Sequence, residues 1–286
     1  MAGAVSAVSA RRIGADALPD ALALLAEAPR ENLLLLDLAS RLGEAPPPGE
    51  LPTELVGMYR RDELLGVATL RPTIGCDARM PSDAVDALLP LVEALDVGLV
   101  KSTPASADRL WARVARRRRR RVWVDRFETL YALVPSRARL VEAGEGRRVR
   151  SAETGDLDAL VYAARESLRE EHRPDPFAGD PRGFRRWVSG RLPRARLVEV
   201  AGRVCFAGYA DVQRSDGWLL QGIYTWPDVR RRGNAAVGTS ALCREAFSEG
   251  ADHVQLAVVD GNEGALQLYE SLGFESCGRI RTILFT

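Results

Sequence analysis

The chain has 286 residues, enough for one large domain or two of medium size. Forty basic against 39 acidic residues give a formal net charge of +1, which excludes a strong whole-chain field for nucleic acid or an anionic membrane. Hydrophobic (46%) and charged (28%) content are those of a globular protein, and no run approaches the ~18 apolar residues of a spanning helix.

Met1 to Ala10 is small and apolar but lacks the basic start and long apolar centre of a signal peptide. The four cysteines (Cys76, Cys205, Cys243, Cys277) are scattered, and only His172 and His253 are available beside them. No zinc-type spacing exists, so no metal site is expected. A cytoplasmic protein with reduced thiols is the expectation.

Along the first half, Leu18 to Ala28 and Glu31 to Leu42 read as helices separated by Pro29, and the proline-rich stretch Glu44 to Pro52 as a loop. Leu55 to Arg60 and Leu64 to Arg71 read as a hairpin. Ser82 to Leu95 has helical spacing, with Leu88, Leu91, Val92 and Leu95 on one face. Val97 to Lys101 reads as a strand, Ala105 to Arg118 as a helix ending in arginines, which suits its C-terminal dipole, and Trp123 to Leu133 as a strand. The six arginines from Arg116 to Arg121 are read as a solvated helix end; the competing reading is a docking surface for an anionic partner. Trp111 and Trp123 are assigned to the core.

Residues 137–146 read as a linker between two domains, 1–136 and 147–286. In the second, Arg147 to Ala152 is a strand, Asp156 to Glu170 a helix, Arg173 to Gly183 a proline-containing loop, and Phe184 to Leu192 a helix. Three strands follow (Ala195 to Ala201, Val204 to Gln213, Gly217 to Thr225), then helix Ala235 to Gly250, strand His253 to Val259 and helix Glu263 to Leu272. Phe274 to Cys277 and Arg279 to Phe285 read as two closing strands. The element order is β-α-α-β-β-β-α-β-α-β-β.

The most informative stretch is Trp226-Pro227-Asp228-Val229-Arg230-Arg231-Arg232-Gly233-Asn234-Ala235, a strand end running through a basic turn into a helix start. Unpartnered backbone amides at a helix N-terminus carry partial positive charge, and Gly233 and Ala235 add little bulk, so a phosphate or pyrophosphate can approach the backbone.

With the stretch Asn262-x-x-Ala265-x-x-Leu268-Tyr269-Glu270-x-Leu272-Gly273-Phe274, in order and one helix and one strand apart, the region from about Arg147 to Thr286 resembles the GNAT (GCN5-related N-acetyltransferase) superfamily. Arg230-x-x-Gly233-x-Ala235 is similar to its R/Q-x-x-G-x-G/A cofactor loop. With the strand Gln221-Gly222-Ile223-Tyr224-Thr225 and the ending Arg281-Thr282-Ile283-Leu284-Phe285, the chain also resembles bacterial two-part GNAT proteins whose N-terminal half is poorly characterised. The resemblance implies an α/β (α+β) fold: a C-terminal GNAT domain with a central mixed, mostly antiparallel sheet flanked by helices, after a degenerate GNAT-like domain. The first half lacks both motifs, and its expected role is to pack against the second and help form an acceptor cleft.

The resemblance implies acetyl-CoA as donor. Backbone amides of Arg231, Arg232, Gly233, Asn234, Ala235 and Ala236 would hold the pyrophosphate, with charge from Arg230, Arg231 and Arg232. Ile223, Tyr224 and Thr225 would present backbone groups to pantetheine, where an amide could bind the thioester carbonyl as charge develops. Asn262 would contact the cofactor, alongside Ala265; Asn262 also suits an N-cap. Tyr269 would protonate the departing thiolate, which a phenol of pKa near 10 can do at neutral pH; the plain alternative is a core tyrosine.

No carboxylate lies in Trp218 to Gly222, and Gln221 cannot serve as a base. Glu170, Glu171 and His172 are the nearest candidates by topology, with a solvated helix end as the plainer reading, so catalysis can rest on a water relay and proximity. Tyr209, Asp211 and Arg214 could line an acceptor pocket or be ordinary sheet-surface residues. The leading function is an N-acetyltransferase acting by direct attack in a ternary complex on a small-molecule or peptide amine. The alternatives are a non-catalytic acyl-CoA-binding regulatory module and an N-terminal scaffold. No membrane or nucleic-acid partner is expected, and homo-oligomerisation is open.

Overall fold

The computed structural model describes residues 7–117 and 120–286. Residues 1–6 of the N-terminal segment, and Arg118 and Arg119 of the arginine run, lie outside the described residues. The chain divides into two compact units that are not contiguous in sequence. Unit 1 comprises Met1–Pro46, Leu51–Glu128 and Arg279–Thr286; unit 2 comprises Pro47–Glu50 and Thr129–Gly278. The C-terminal eight residues thus group with the first unit, while residues 129–136 group with the second. No helix among the described residues is long and apolar enough to cross a membrane.

In unit 1 the elements are β1 (Val8–Arg12), α1 (Leu18–Ala26), α2 (Leu33–Ser40), β2 (Glu54–Arg60), β3 (Glu63–Arg71), β4 (Gly75–Cys76), α3 (Ser82–Glu93), β5 (Gly98–Ser102) and α4 (Pro104–Arg117). They are joined by part of β6 (Val122–Leu133) and the end of β12 (Glu275–Phe285). β1 to β4 form an antiparallel sheet, and β5 pairs antiparallel with β12 from Arg281↔Ser102 to Phe285↔Gly98. The period-3.6 face of α3 buries Ala84, Val85, Leu88, Leu89 and Val92 in a cluster with Val56, Met58, Ile74, Val100 and Phe285.

Two strands were not expected from the sequence. β1 carries Ser9, Arg11 and Arg12 beside Val8 and Ala10, and is held by pairing with β2 rather than by burial of a long apolar run. β4 is two residues long, below any periodicity signal. Helix α2 begins at Leu33, not Glu31, because Asn32 turns its side chain back: Nδ2 donates to Leu25 O and to Asp77 Oδ1.

In unit 2 the elements are β7 (Arg147–Ser151), α5 (Leu157–Glu170), α6 (Pro181–Ser189), β8 (Ala195–Val200), β9 (Arg203–Arg214), β10 (Gly217–Thr225), α7 (Asn234–Ser248), β11 (Val254–Val259) and α8 (Glu263–Ser271), with the remainder of β6 and β12. The sheet order is β7-β8-β9-β10-β11-β6-β12. β7 to β10 are antiparallel neighbours, and β10 and β11 are parallel. Helix α6 starts at Pro181, earlier than expected, because the Asp180 carboxylate caps it by accepting from Gly183 N at 2.8 Å and proline suits a first helical position. The two expected closing strands are one, β12, since Gly278 does not interrupt it.

Alternation along β9 separates two layers. Ala207 and Tyr209 join α5 and α6 residues such as Leu157, Leu160, Phe184 and Val188. Phe206 and Ala210 instead meet residues of α7, Val237 and Leu242. Helices thus flank the mostly antiparallel sheet on both faces.

Candidate active site

The turn from β10 to α7 is built from unusual backbone. A one-turn 3-10 segment, Pro227–Val229, follows Trp226, and Asp228 is anchored by Arg203, whose Nη2 donates at 2.9 Å. Arg231 then adopts φ +62° and Gly233 φ +81°, both left-handed. Gly233 is the N-cap of α7 and has no side chain to bond the helix end. The first amides of any helix lack intrahelical partners, so those of Asn234, Ala235 and Ala236 are available to an anion. Around them Arg231, Arg232 and Gly233 are exposed.

Asn234 is the exception to the small-residue character of this turn, and it is buried. Its Nδ2 donates to Val229 O at 3.2 Å and its Oδ1 accepts from Arg147 Nε at 3.2 Å. Arg147, at the start of β7, also donates from Nη2 to Arg232 O at 2.6 Å. The turn is therefore fixed from inside by one amide and from outside by one guanidinium. Arg147 has no sequence signal; 87 residues separate it from Asn234.

The strand leading into the turn leaves its neighbours. β10 is in register with β11 only at Trp218↔Val254 and Leu219↔Gln255, so the two strands part beyond Leu219. Against β9 the register slips between Gln221 and Tyr224, and Gly222 has φ +60°. A Cβ at Gly222 would lie 2.1 Å from Tyr209 Cε1, so only glycine fits there. Such a bulge frees backbone amides and carbonyls of residues 222–223 from the ladder. Ile223 packs with Ala236 and Val237 on the α7 side, and Tyr224 packs on the α5 side.

Tyr269, on α8, is buried beside Leu272 and Cys243, with its ring 5.6 Å from that of Phe274. Burial pushes its phenol well above the ordinary tyrosine value, with the Cys243 thiol adding to the shift, so it is neutral throughout the physiological range. Asn262 is exposed and caps α8, its Oδ1 accepting from Ala265 N at 3.1 Å; Ala265 is half-buried.

Arg230 does not point at the open amides. Its Nη2 donates to Glu170 at 2.7 and 2.8 Å, its Nε donates to Thr225 O at 3.0 Å, and its guanidinium lies 5.6 Å from the Tyr224 ring. Glu170, weighed as a base, is thus an ion-pair partner at the end of α5. Glu171 pairs with Arg173 at 3.6 Å, and His172 sits at φ +53° on the exposed turn. Tyr209 Oη accepts from Arg191 Nε at 3.3 Å; Arg191 also stacks on Trp187 at 3.9 Å and donates to Glu50 at 2.8 Å. Arg214 is paired with Asp216 in the hairpin turn, at 2.9 Å. An aromatic group that sequence reasoning did not assemble closes this end: Tyr162, Tyr224 and Trp226 are in mutual ring contact.

Residues 158–274 match the model of the acetyltransferase (GNAT) family. No curated protein matches the chain significantly in sequence. Among solved structures, a Drosophila protein superposes with TM-score 0.73 at 13% identity, over 97% of this chain and 98% of its own. A GCN5-related N-acetyltransferase from Sphaerobacter thermophilus gives 0.61 at 17% identity, covering 97% and 95%. A tandem GNAT protein from the clavulanic acid biosynthesis pathway gives 0.60 at 14% identity, covering 98% of each chain. At these identities the likeness is one of fold: a GNAT domain preceded by a GNAT-like one.

Proposed function

We propose, from the match of residues 158–274 to the acetyltransferase (GNAT) family model, that this chain belongs to that family and moves an acetyl group from acetyl-CoA to an amine. The observation that carries the reading is the uncapped N-terminus of α7 behind Gly233, next to a strand that has parted from β11. A pyrophosphate fits the amides of Asn234, Ala235 and Ala236, and the exposed Arg231 and Arg232 add charge-assisted contacts.

Acetyl-CoA supplies a thioester: the amine nitrogen bonds to its acyl carbon, the carbon–sulfur bond breaks, nitrogen loses a proton to water, and sulfur gains one from Tyr269, which solvent then restores. The chain's residues orient and discharge that exchange. The bulge at Gly222 and Ile223 presents backbone groups to the pantetheine arm, and an amide there stabilises negative charge on the acyl oxygen. Tyr269, neutral because it is buried, donates the proton to sulfur. Asn262, capping α8, and Ala265 flank the cofactor from that helix. Glu170 is engaged by Arg230, so proton removal from the amine is assigned to water and the reaction to direct attack in a ternary complex. The acceptor is a small-molecule or peptide amine, and the setting is cytoplasmic.

One observation favours a second reading. β10 has no carboxylate and Glu170 is paired, which also suits a non-catalytic acyl-CoA-binding regulator. Thiol release from acetyl-CoA across an amine panel separates the two. Coenzyme A binding with no release by any amine selects the regulator, and absence of coenzyme A binding removes both.

A further inference from the structure

Tyr224 is 4% exposed, and its hydroxyl is buried without a hydrogen-bond partner. A buried hydroxyl in that state forfeits the hydration it had in the unfolded chain, so native proteins rarely leave one without a use. The charges acting on it are those of Glu170, Glu166 and Arg230, with the Tyr162 phenol beside them. Each glutamate already holds an arginine: Glu170 pairs with Arg230 and Glu166 with Arg169. The rim is polar and balanced rather than strongly acidic, so charge alone does not choose a ligand here.

The rings do. Tyr162 is 45% exposed on α5, an unusual position for a large aromatic side chain that is also held in place. Its ring stacks on Trp226 with centroids 5.9 Å apart and planes 14° from parallel. Trp226 in turn meets the edge of Tyr224 at 5.4 Å. A fixed, partly exposed ring beside an unsatisfied hydroxyl offers one stacking contact and one hydrogen bond. Both lie at the end of β10 that has separated from β11 and runs into the proposed cofactor turn.

We propose that Tyr224 Oη and the Tyr162–Trp226 stack form the acceptor subsite, and that it takes a primary amine carried on an aromatic body. The proposal rests on the acyl-transfer reading and names its substrate class. The amine N–H donates to the phenol oxygen of Tyr224, and the aromatic body lies offset on the Tyr162 ring, where stacked and edge geometries are favourable and an aliphatic body gains less. Before it loses its proton the ammonium is also attracted by the ring faces.

The test is a binding titration of the full chain, without acyl donor, followed by tryptophan fluorescence. The probes are 2-phenylethylamine and 2-cyclohexylethylamine, of similar size but differing in aromaticity. Saturable quenching is expected with the aromatic amine about threefold to tenfold tighter, as aromatic pairing predicts. Trp226→Phe should remove the quench. Tyr162→Leu, a surface change on α5, should bring the two affinities together. Tyr224→Phe should weaken both amines about fivefold, a typical loss for one hydrogen bond. Absence of saturable amine binding, an equal or reversed preference, or unaltered amine affinity in Tyr224→Phe overturns the subsite. Amine binding as expected but without thiol release in the presence of acetyl-CoA leaves the subsite standing and removes the transferase reading instead.

Discussion

Arg147 Nε donates to Asn234 Oδ1 at 3.2 Å, joining the first residue of β7 to the first residue of α7. The same guanidinium holds Arg232 O, so it fixes two points of the turn whose amides are proposed to bind pyrophosphate. Pre-arranged donors bind an anion without the entropic cost of ordering them. Arg147→Ala should therefore raise the dissociation constant for coenzyme A about tenfold, near 1.4 kcal/mol. The rate constant at saturating acetyl-CoA should not move. Calorimetry with coenzyme A checks the first, and a turnover of the variant that falls while affinity is kept would contradict the second.

Glycine substitutions on either side of the site should differ in size for a structural reason. Gly233 is left-handed, but a Cβ there meets only Arg147 Nη2 at 3.9 Å, so Gly233→Ala costs the backbone term alone, about 1–2 kcal/mol. Gly222 is also left-handed, and its Cβ would strike the Tyr209 ring, which Arg191 holds by its hydroxyl. Gly222→Ala should lose more, about 2–4 kcal/mol, by adding overpacking to strain. Denaturant midpoints of the two variants, measured side by side, test the order.

Tyr269→Phe removes one hydroxyl from a buried ring and leaves its contact with Phe274 in place. If the phenol donates the proton to sulfur, turnover falls by about 10²-fold, the lower range for a general acid, while coenzyme A affinity is retained. An unchanged rate would reduce Tyr269 to the core residue that its burial also makes it.

The elements that carry this candidate site were legible because their signals are local. Gly233 and the arginines before it mark the turn, and the spacing from Asn262 to Tyr269 marks α8. The helices were legible by periodicity, with ends displaced by a few residues where a side chain such as Asn32 or Asp180 decides the first turn. What stayed hidden depends on distant pairing. β1 is a strand only because β2 is beside it, and Arg147, Glu50 and Arg191 acquire roles only through partners many residues away. Arg230 carries the cofactor-loop pattern, yet its side chain turns to Glu170, which spacing along the chain does not encode.

Acid should weaken unit 2 through Arg150. Its Nη1 and Nη2 bond Asp156 at 2.6 and 2.7 Å, and Nη2 also reaches Glu199 at 2.6 Å. Hydrogen bonds from Arg150 are the main reason both carboxyls titrate below their ordinary values. Depressed folded values mean a stability contribution that is complete above the unfolded carboxylate range, about pH 4, and is lost as pH falls through the folded values. Arg150→Leu should cost about 2–3 kcal/mol at pH 7, and its gap to the parent chain should narrow below about pH 4. Parallel stability-against-pH curves for the two proteins would rule out this origin.

The turn of unit 1 that precedes α3 is already bonded by the chain's own side chains. Following β4, the carboxylate of Asp77 accepts from Arg79 N at 3.1 Å, and Asn32 Oδ1 accepts from Ala78 N at 3.0 Å. Two turn amides are thus already occupied by the chain's own side chains. Asp77 is itself buried, and that burial holds its carboxyl above the ordinary value. A pyrophosphate would have to displace Asn32, which also holds Leu25 O, and would meet a carboxylate when Asp77 is ionised. Calorimetric titration with coenzyme A should therefore give a stoichiometry of one. Arg147→Ala, in unit 2, should weaken that one event, whereas Asn32→Ala should lower stability by about 1–3 kcal/mol with coenzyme A affinity intact. A second saturable event that survives Arg147→Ala would mean that the Asp77 turn opens to the ligand.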